Sequence, residues 1–479
     1  MNYAIIEYML GLILFLEGIF LSLPVLCSFI YHEEEGMPFL IMAALCFLLS
    51  FVATHKKPTQ TTFFLREGCV TTALSWIVLS LVGAIPFIMT REIPSYLDAL
   101  FETVSGFTTT GASIVPNVEE MSHTALLWRS FTHWIGGMGV LVFLLAIIPL
   151  TGGSPINLMR AESPGPSVGK LAPKIRFTAR ILYGIYVAIT VIMFILLVIF
   201  GMPVFDAICT ALGTAGTGGF GVKADSITGY SVPLQWIITV FMILFGINFN
   251  AYYLILLREF KKALALEEVR AYLCIIVFST AIISWNILYS CRNLFDAVTK
   301  AAFQVGSIIT TTGFCTADFD QWPSLSKSLL VLLMFVGACA GSTGGGSKVS
   351  RLLIIIKAIH LEIFSGIHPK SVRHIKMDNR TVDDEMLHGV FTYYSAYFII
   401  FSLSTIPLFA EGCDLVTGFT AVVATFNNIG PGLSAVGPAA NFADLGNLSK
   451  CVLIFDMLAG RLEIYPMLVL FSPSLWKEL

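Results

Sequence analysis

Four tracts of the chain combine Thr, Asn and Gly at spacings that would present oxygen atoms to a cation. Each opens on an acid and closes on a glycine: Asp98 to Gly111 (DALFETVSGFTTTG), Asp206 to Gly219 (DAICTALGTAGTGG), Asp296 to Gly313 (DAVTKAAFQVGSIITTTG) and Asp414 to Gly430 (DLVTGFTAVVATFNNIG). The acid-to-glycine offsets are 13, 13, 17 and 16, so the last two units read as about one helical turn longer. Each apolar stretch is too short to cross a bilayer, whose core takes about 20 helical residues. Non-helical backbone at that depth persists only when buried in protein or lining water. Four such loops on one axis would offer carbonyl oxygens, with glycine permitting the backbone angles that turn them inward. A carbonyl ring that replaces a hydration shell selects cations. An acid at the start of each half-helix suits the positive end of its dipole, leaving the negative end at mid-membrane for a dehydrated cation. An anion would need the reverse polarity. Any single loop could be an ordinary glycine turn; the shared order in all four argues for a common site.

The elements that must hold these loops are apolar helices. Of 479 residues only 12% are charged and 56% are hydrophobic, with a mean hydropathy of +0.83. Soluble globular domains carry about 25% charge, so a cytosolic enzyme, a disordered chain and a secreted disulfide scaffold are excluded. A net charge of −3 does not point to nucleic acid. The ten Cys lack paired spacing and read as small buried hydrophobes, as at Cys46, Cys209, Cys274 and Cys339. Ten apolar windows are expected to span: 4–30, 37–54, 69–89, 123–150, 179–200, 233–256, 271–290, 327–357, 387–410 and 448–476. The first lacks a basic start and a cleavage site, and reads as a retained helix. Twenty of the 28 Lys and Arg fall in alternate connections (55–68, 151–180, 257–270, 348–382 and the C-terminal end), which predicts cytoplasmic N- and C-termini. The glycine-to-glycine spacing of 94 to 117 residues is an internal repeat of helix, half-helix, loop and helix, written four times in one orientation. Same-sense repeats favour a ring around one axis over the inverted repeats of alternating-access carriers.

Two motifs are set aside. Gly216 to Gly221 satisfies GxGxxG without the strand that a dinucleotide fold needs. Gly341 to Lys348 (GSTGGGSK) resembles a phosphate loop, but its Lys is displaced by one residue and no strand precedes it. This second tract, Gly341, Ser342, Thr343, Gly344, Gly345, Gly346 and Ser347 before Lys348, interrupts the eighth span. It is either an intramembrane loop on the cytoplasmic side of the glycine ring or a close helix crossing of small residues. Arg461 stands in the middle of the last span, where an Arg costs roughly 2.5 to 3.5 kcal/mol on insertion scales. It is either ion-paired to another helix or a fixed positive charge below the ring; Asp456 and Glu463 are at the wrong offsets to pair along its own helix. Glu17 and His133 read as helix-packing contacts, not proton carriers. The absence of HExxH and GxSxG argues against a membrane-embedded enzyme.

Thr109-Thr110-Gly111, Thr217-Gly218-Gly219-Phe220, Thr311-Thr312-Gly313-Phe314, Asn427 to Pro431, the run Trp128 to Val140, the loop Gly341 to Lys348 and Gly460 to Ile464 together resemble the Trk/Ktr/HKT superfamily of potassium translocation proteins. Within it they are most similar to the TrkH family of membrane subunits. The resemblance covers the chain from about residue 70, and residues 1–68 are similar to the extra N-terminal helix pair of that family. It implies an all-α polytopic membrane protein with four helix/pore-half-helix/helix repeats in pseudo-fourfold arrangement, at 69–165, 166–262, 263–382 and 383–479. The potassium-binding residues it implies are Thr109, Thr110, Gly111, Thr217, Gly218, Gly219, Thr311, Thr312, Gly313, Asn428, Ile429 and Gly430. Those nearest the ion are Thr110, Gly111, Gly218, Gly219, Thr312, Gly313, Ile429 and Gly430. In the second loop the Gly218-Gly219 pair leaves two registers, of which Gly219 is taken. The loop 341–348 is implied to gate, and Arg461, read as a fixed positive charge below the ring, is expected to help it. Serine for glycine in some plant relatives goes with sodium permeation, so four glycines favour potassium. A sodium-permeable or ion-coupled symporter is the alternative. The resemblance further implies a homodimer in the bacterial inner membrane. A cytoplasmic TrkA-type ring would carry the nucleotides, and this chain would hold no covalent cofactor and no nucleic acid.

Overall fold

A computed structural model describes residues 1–58, 65–151, 175–371 and 373–476. Arg160, Lys170, Lys174 and Lys477, counted above toward the cytoplasmic side, and the 165/166 boundary lie outside them. Among the described residues six helices are long and apolar enough to cross a bilayer: Tyr3–Tyr31, Gly36–Thr54, Arg66–Met89, Arg180–Ile199, Glu267–Ser290 and Asp384–Ala410. A further helix, His123–Thr151, has 29 residues. Their outward faces carry largely exposed Phe29, Ile30, Val277, Phe278 and Trp285. Apolar surface of that extent is stable against lipid and not against water. The two N-terminal helices pack along each other. Gly11 allows their close approach, since a Cβ there would stand 2.7 Å from that of Ala53. Glu17 is fully buried in this pair.

Four short helices fill the centre: Tyr96–Phe107, Val204–Gly216, Leu294–Ile309 and Leu415–Phe426. They are largely buried; Ala421, Val422, Val423 and Ala424 are all inaccessible. Their lengths are 12, 13, 16 and 12 residues. Only the third is a turn longer, which corrects the expectation for the fourth. Asp98, Asp206 and Asp296 lie three residues after the N-caps Ser95, Pro203 and Asn293. Asp414 is itself the N-cap, accepting from the amides of Val416 and Thr417. The larger offset in the fourth unit is a displaced acid, not an added turn.

Three expected spans are broken. The window 233–256 forms Val232–Phe245 and Phe249–Leu256, bent by 90°. The window 327–357 forms Ser324–Val336 and Val349–Ile367, and its break begins at Gly337 (φ +73°), four residues before Gly341. These two breaks satisfy each other. Cys339 N donates to Gly246 O (3.1 Å), and Phe249 N donates to Gly341 O (3.0 Å). Backbone freed from a helix inside a membrane needs such partners. The window 448–476 forms Asn447–Arg461 and Tyr465–Leu470, separated by Glu463 and Ile464 at φ +55° and +70°. Arg461 is thus the last residue of a helix, not the middle of one. Apart from a hairpin pairing Lys376–Met377 with Arg380–Thr381, regular structure among the described residues is helical.

Candidate functional site

Each central half-helix ends in the same way. Its closing turn carries a residue in the left-handed region: Thr109 (φ +55°), Thr217 (+54°), Thr311 (+59°) and Asn428 (+55°). The next amide then reaches back five residues: Thr110 to Ser105 O (2.8 Å), Gly218 to Gly213 O (2.9 Å), Thr312 to Ser307 O (2.8 Å) and Ile429 to Ala424 O (2.8 Å). This is the Schellman termination. One residue further stands a glycine, again at positive φ: Gly111 (+78°), Gly219 (+78°), Gly313 (+85°) and Gly430 (+98°). The register of the second loop follows, because Gly218 has the position of Thr110, Thr312 and Ile429, and Gly219 that of the other glycines. A β-branched Thr in the left-handed region is costly, and such strain collects at functional sites.

The four loops close on one another. A Cβ added at Gly111 would overlap the carbonyl oxygen of Gly218, one at Gly219 that of Thr312, and one at Gly313 that of Ile429. At Gly430 it would stand 2.8 Å from Thr110 O. First meets second, second third, third fourth and fourth first, in a single cycle. Asn428 reinforces the closing step, donating from Nδ2 to Thr110 Oγ1 (2.9 Å) and to Met457 O (2.9 Å). All twelve residues expected at the site therefore lie in one ring. A cavity of about 150 Å³ opens over it, walled by all four glycines and by Arg129 and Lys223. Among the described residues no cluster of His, Cys, Asp and Glu could hold a metal ion. Where neighbouring loops meet, the groups set against the glycines are backbone carbonyl oxygens.

Against the ring packs the loop 337–348. Gly345 N donates to Thr311 Oγ1 (2.6 Å), and a Cβ on Gly345 would come 2.8 Å from Asn427 O. Gly344 lies against Thr310 O and Ala338. Gly341 and Gly346 adopt positive φ, as does Lys348. Thr343 Oγ1 donates to Phe245 O (3.2 Å), Ser342 Oγ to Cys339 O (2.6 Å), and Tyr394 OH to Ser347 Oγ (3.1 Å). Two cations occupy the loop carbonyls. Arg461 donates to Thr343 O (3.0 Å) and to Gly136 O (2.6 Å) on the neighbouring long helix. Lys348 Nζ donates to Gly344 O and, at 3.3 Å, to Gly345 O. Glu463, two residues after Arg461, pairs instead with Arg351. Asp456 accepts from Ser404 Oγ (2.6 Å).

The sequence reading missed the anchors around this centre. Glu268 accepts from Ala340 N (2.6 Å), Ser350 N (3.1 Å) and Asn248 Nδ2 (3.3 Å), fixing both ends of the loop. Its only local signal is an acid opening an apolar span. The buried pair Glu102–Arg129 (2.6 Å) holds the chain after the first ring segment, since Glu102 also accepts from Ile114 N (2.9 Å). Arg129 lies 4.2 Å from the centroid of Phe220, the residue after Gly219.

The sequence profile of TrkH, described as a cation transport protein, matches residues 35–478. The chain belongs to the TrkH family of cation transport proteins. It is 36% identical over 491 aligned positions to the Trk system potassium uptake protein TrkH of Salmonella typhimurium, covering the whole of both chains. The TrkG potassium uptake protein of Escherichia coli is 31% identical over 99% of each. The crystal structure of the potassium transporter TrkH from Vibrio parahaemolyticus superposes with a TM-score of 0.89 at 32% identity, over the full length of both chains. The family is one of transporters, not enzymes.

Proposed function

We propose that the chain takes up potassium through the ring formed by Thr109–Gly111, Thr217–Gly219, Thr311–Gly313 and Asn428–Gly430. The observation that carries this reading is the closed cycle in which each glycine abuts the carbonyl oxygen preceding the next loop's glycine. The oxygens of Thr110, Gly218, Thr312 and Ile429 would replace the ion's hydration shell, and the four half-helix C-termini add their negative dipole ends. The relatives named as potassium uptake proteins support the choice of ion.

Opening is assigned to the loop 341–348. With Lys348 and Arg461 on its carbonyls, two tethered cations stand where a translocating ion would meet its next oxygens. Withdrawal of the loop with these side chains would clear the path. The four pore units 69–165, 166–262, 263–382 and 383–479 follow the extra pair at 1–68. Both termini are assigned to the cytoplasm of a bacterial inner membrane by the distribution of basic residues. A homodimer and a nucleotide-binding TrkA-type ring are its partners in this reading, which rests for them on family resemblance.

The test is cation uptake in a strain without potassium systems of its own, for the parent and for Gly111→Ser, Gly313→Ser and Gly430→Ser. The expected outcome is loss of potassium preference over sodium in each, mildest at Gly430, where the space next to the oxygen is largest. Parental selectivity in all three would overturn the assignment.

A further inference from the structure

The ring has fourfold backbone geometry but only three side chains at the position before the glycine: Thr110, Thr312 and Ile429, all fully buried. The second loop has Gly218 there. Its missing side chain is replaced from another element. A Cβ built on Gly218 falls on Nδ1 of His133, with Cγ and Cε1 of the same ring as the next nearest atoms. His133 sits on helix His123–Thr151, fully buried, with its ring stacked on Phe220 (centroids 4.2 Å apart, 25° between planes). The Arg129 guanidinium also lies over the Phe220 ring, 4.2 Å from its centroid. The His133 backbone reaches the same half-helix, since a Cβ on Gly216 would meet His133 O. Neither ring nitrogen has a hydrogen-bond partner among the described residues. A buried polar ring without partners is a cost to folding, so its place behind the loop calls for a compensating role.

We infer that His133 is a positioning residue for ion selectivity, its imidazole serving in trans as the fourth side chain that supports the carbonyl ring behind Gly218. This rests on the reading of the ring as the selectivity filter. Close-packed interiors transmit the loss of a few atoms as backbone shifts. The Gly218 oxygen that the ring supports is the one against Gly111. Gly218 and His133 are therefore one unit: either a side chain on the loop with a small residue on the helix, or glycine on the loop with an imidazole on the helix.

The experiment measures potassium and sodium uptake per membrane-inserted molecule for His133→Ala, Gly218→Thr, the double variant and Gly313→Ser. His133→Ala is expected to lower the potassium-to-sodium ratio by about tenfold, equivalent to about 1.4 kcal/mol. Gly218→Thr alone is expected to abolish uptake by driving its side chain into the imidazole. The double variant, which rebuilds the Thr-Thr-Gly form of the first and third loops, is expected to recover uptake and most of the ratio. A structural role without influence on selectivity would leave the His133→Ala ratio at the parental value, which overturns the inference. So does a double variant no better than Gly218→Thr. If Gly313→Ser changes the ratio while the His133 variants do not, the filter reading stands and only this inference fails. If Gly313→Ser is also silent, this inference fails, and the filter reading fails with it once Gly111→Ser and Gly430→Ser are silent too.

Discussion

At the scale of single residues, charge and φ decide what the centre can do. Arg461 was legible as an anomaly because an arginine within an apolar window needs a reason, yet its role depends on which oxygens it reaches. Those are Thr343 O on the loop and Gly136 O on a long helix, over 300 positions away in the chain. Lys348, which reads from sequence as the end of a glycine tract, turns out to hold the carbonyl of Gly344. Both side chains tie down the loop, and in the proposed reading they oppose a cation. Arg461→Ala and Lys348→Ala are each expected to raise potassium flux severalfold at equal membrane abundance, checked by initial uptake rates. Flux at or below the parental level in both would remove them from gating. The left-handed φ at Thr109, Thr217 and Thr311 could not be read from residue type, because threonine disfavours it and only the surrounding packing enforces it.

At the scale of elements, hydropathy located the helices and misjudged their continuity. Apolarity averaged over twenty residues does not register a bend whose freed backbone groups find partners elsewhere. The windows 233–256 and 327–357 break opposite each other and exchange hydrogen bonds through Gly246, Cys339, Gly341 and Phe249. Glu268 locks this junction by accepting from Ala340 N and Ser350 N. Glu268→Ala would leave both buried amides without an acceptor, at about 1–3 kcal/mol each. Lower membrane abundance and higher flux per surviving molecule are expected, whereas Glu268→Gln keeps an acceptor and much of both. Immunoblotting alongside uptake checks the pair; parental behaviour of Glu268→Ala would show that the loop is held without it. The acid-to-glycine offset in the fourth unit misled for a related reason. An acid can serve a helix start at the N-cap or three residues in, and spacing alone does not tell the two apart.

At the scale of the whole molecule, the central elements are held together by contacts within and between repeats. The buried pair Glu102–Arg129 joins the first half-helix to the next long helix, and Arg129 touches the second loop through Phe220. Removing one partner of a buried pair costs about 3–5 kcal/mol, while an apolar replacement of both costs far less. Thermal unfolding of the detergent-solubilised protein is therefore expected to show Arg129→Leu strongly destabilised and the Glu102→Leu/Arg129→Leu double variant less so; the opposite order would count against this pairing. The resemblance named the twelve residues of the loop ring; the sequence alone determined the lipid-facing class and the four acid-to-glycine tracts. Those properties rest on local quantities: hydropathy over a turn-multiple window, the spacing of acids and glycines, and the paucity of charge. Only the tertiary structure decided the register at Gly218-Gly219, the mutual breaks, the partners of Arg461 and Lys348, and the imidazole of His133 behind the second loop. Each of these is a contact between residues that are distant in the chain, or a backbone angle that such contacts impose, and neither leaves a periodic trace in the order of the amino acids.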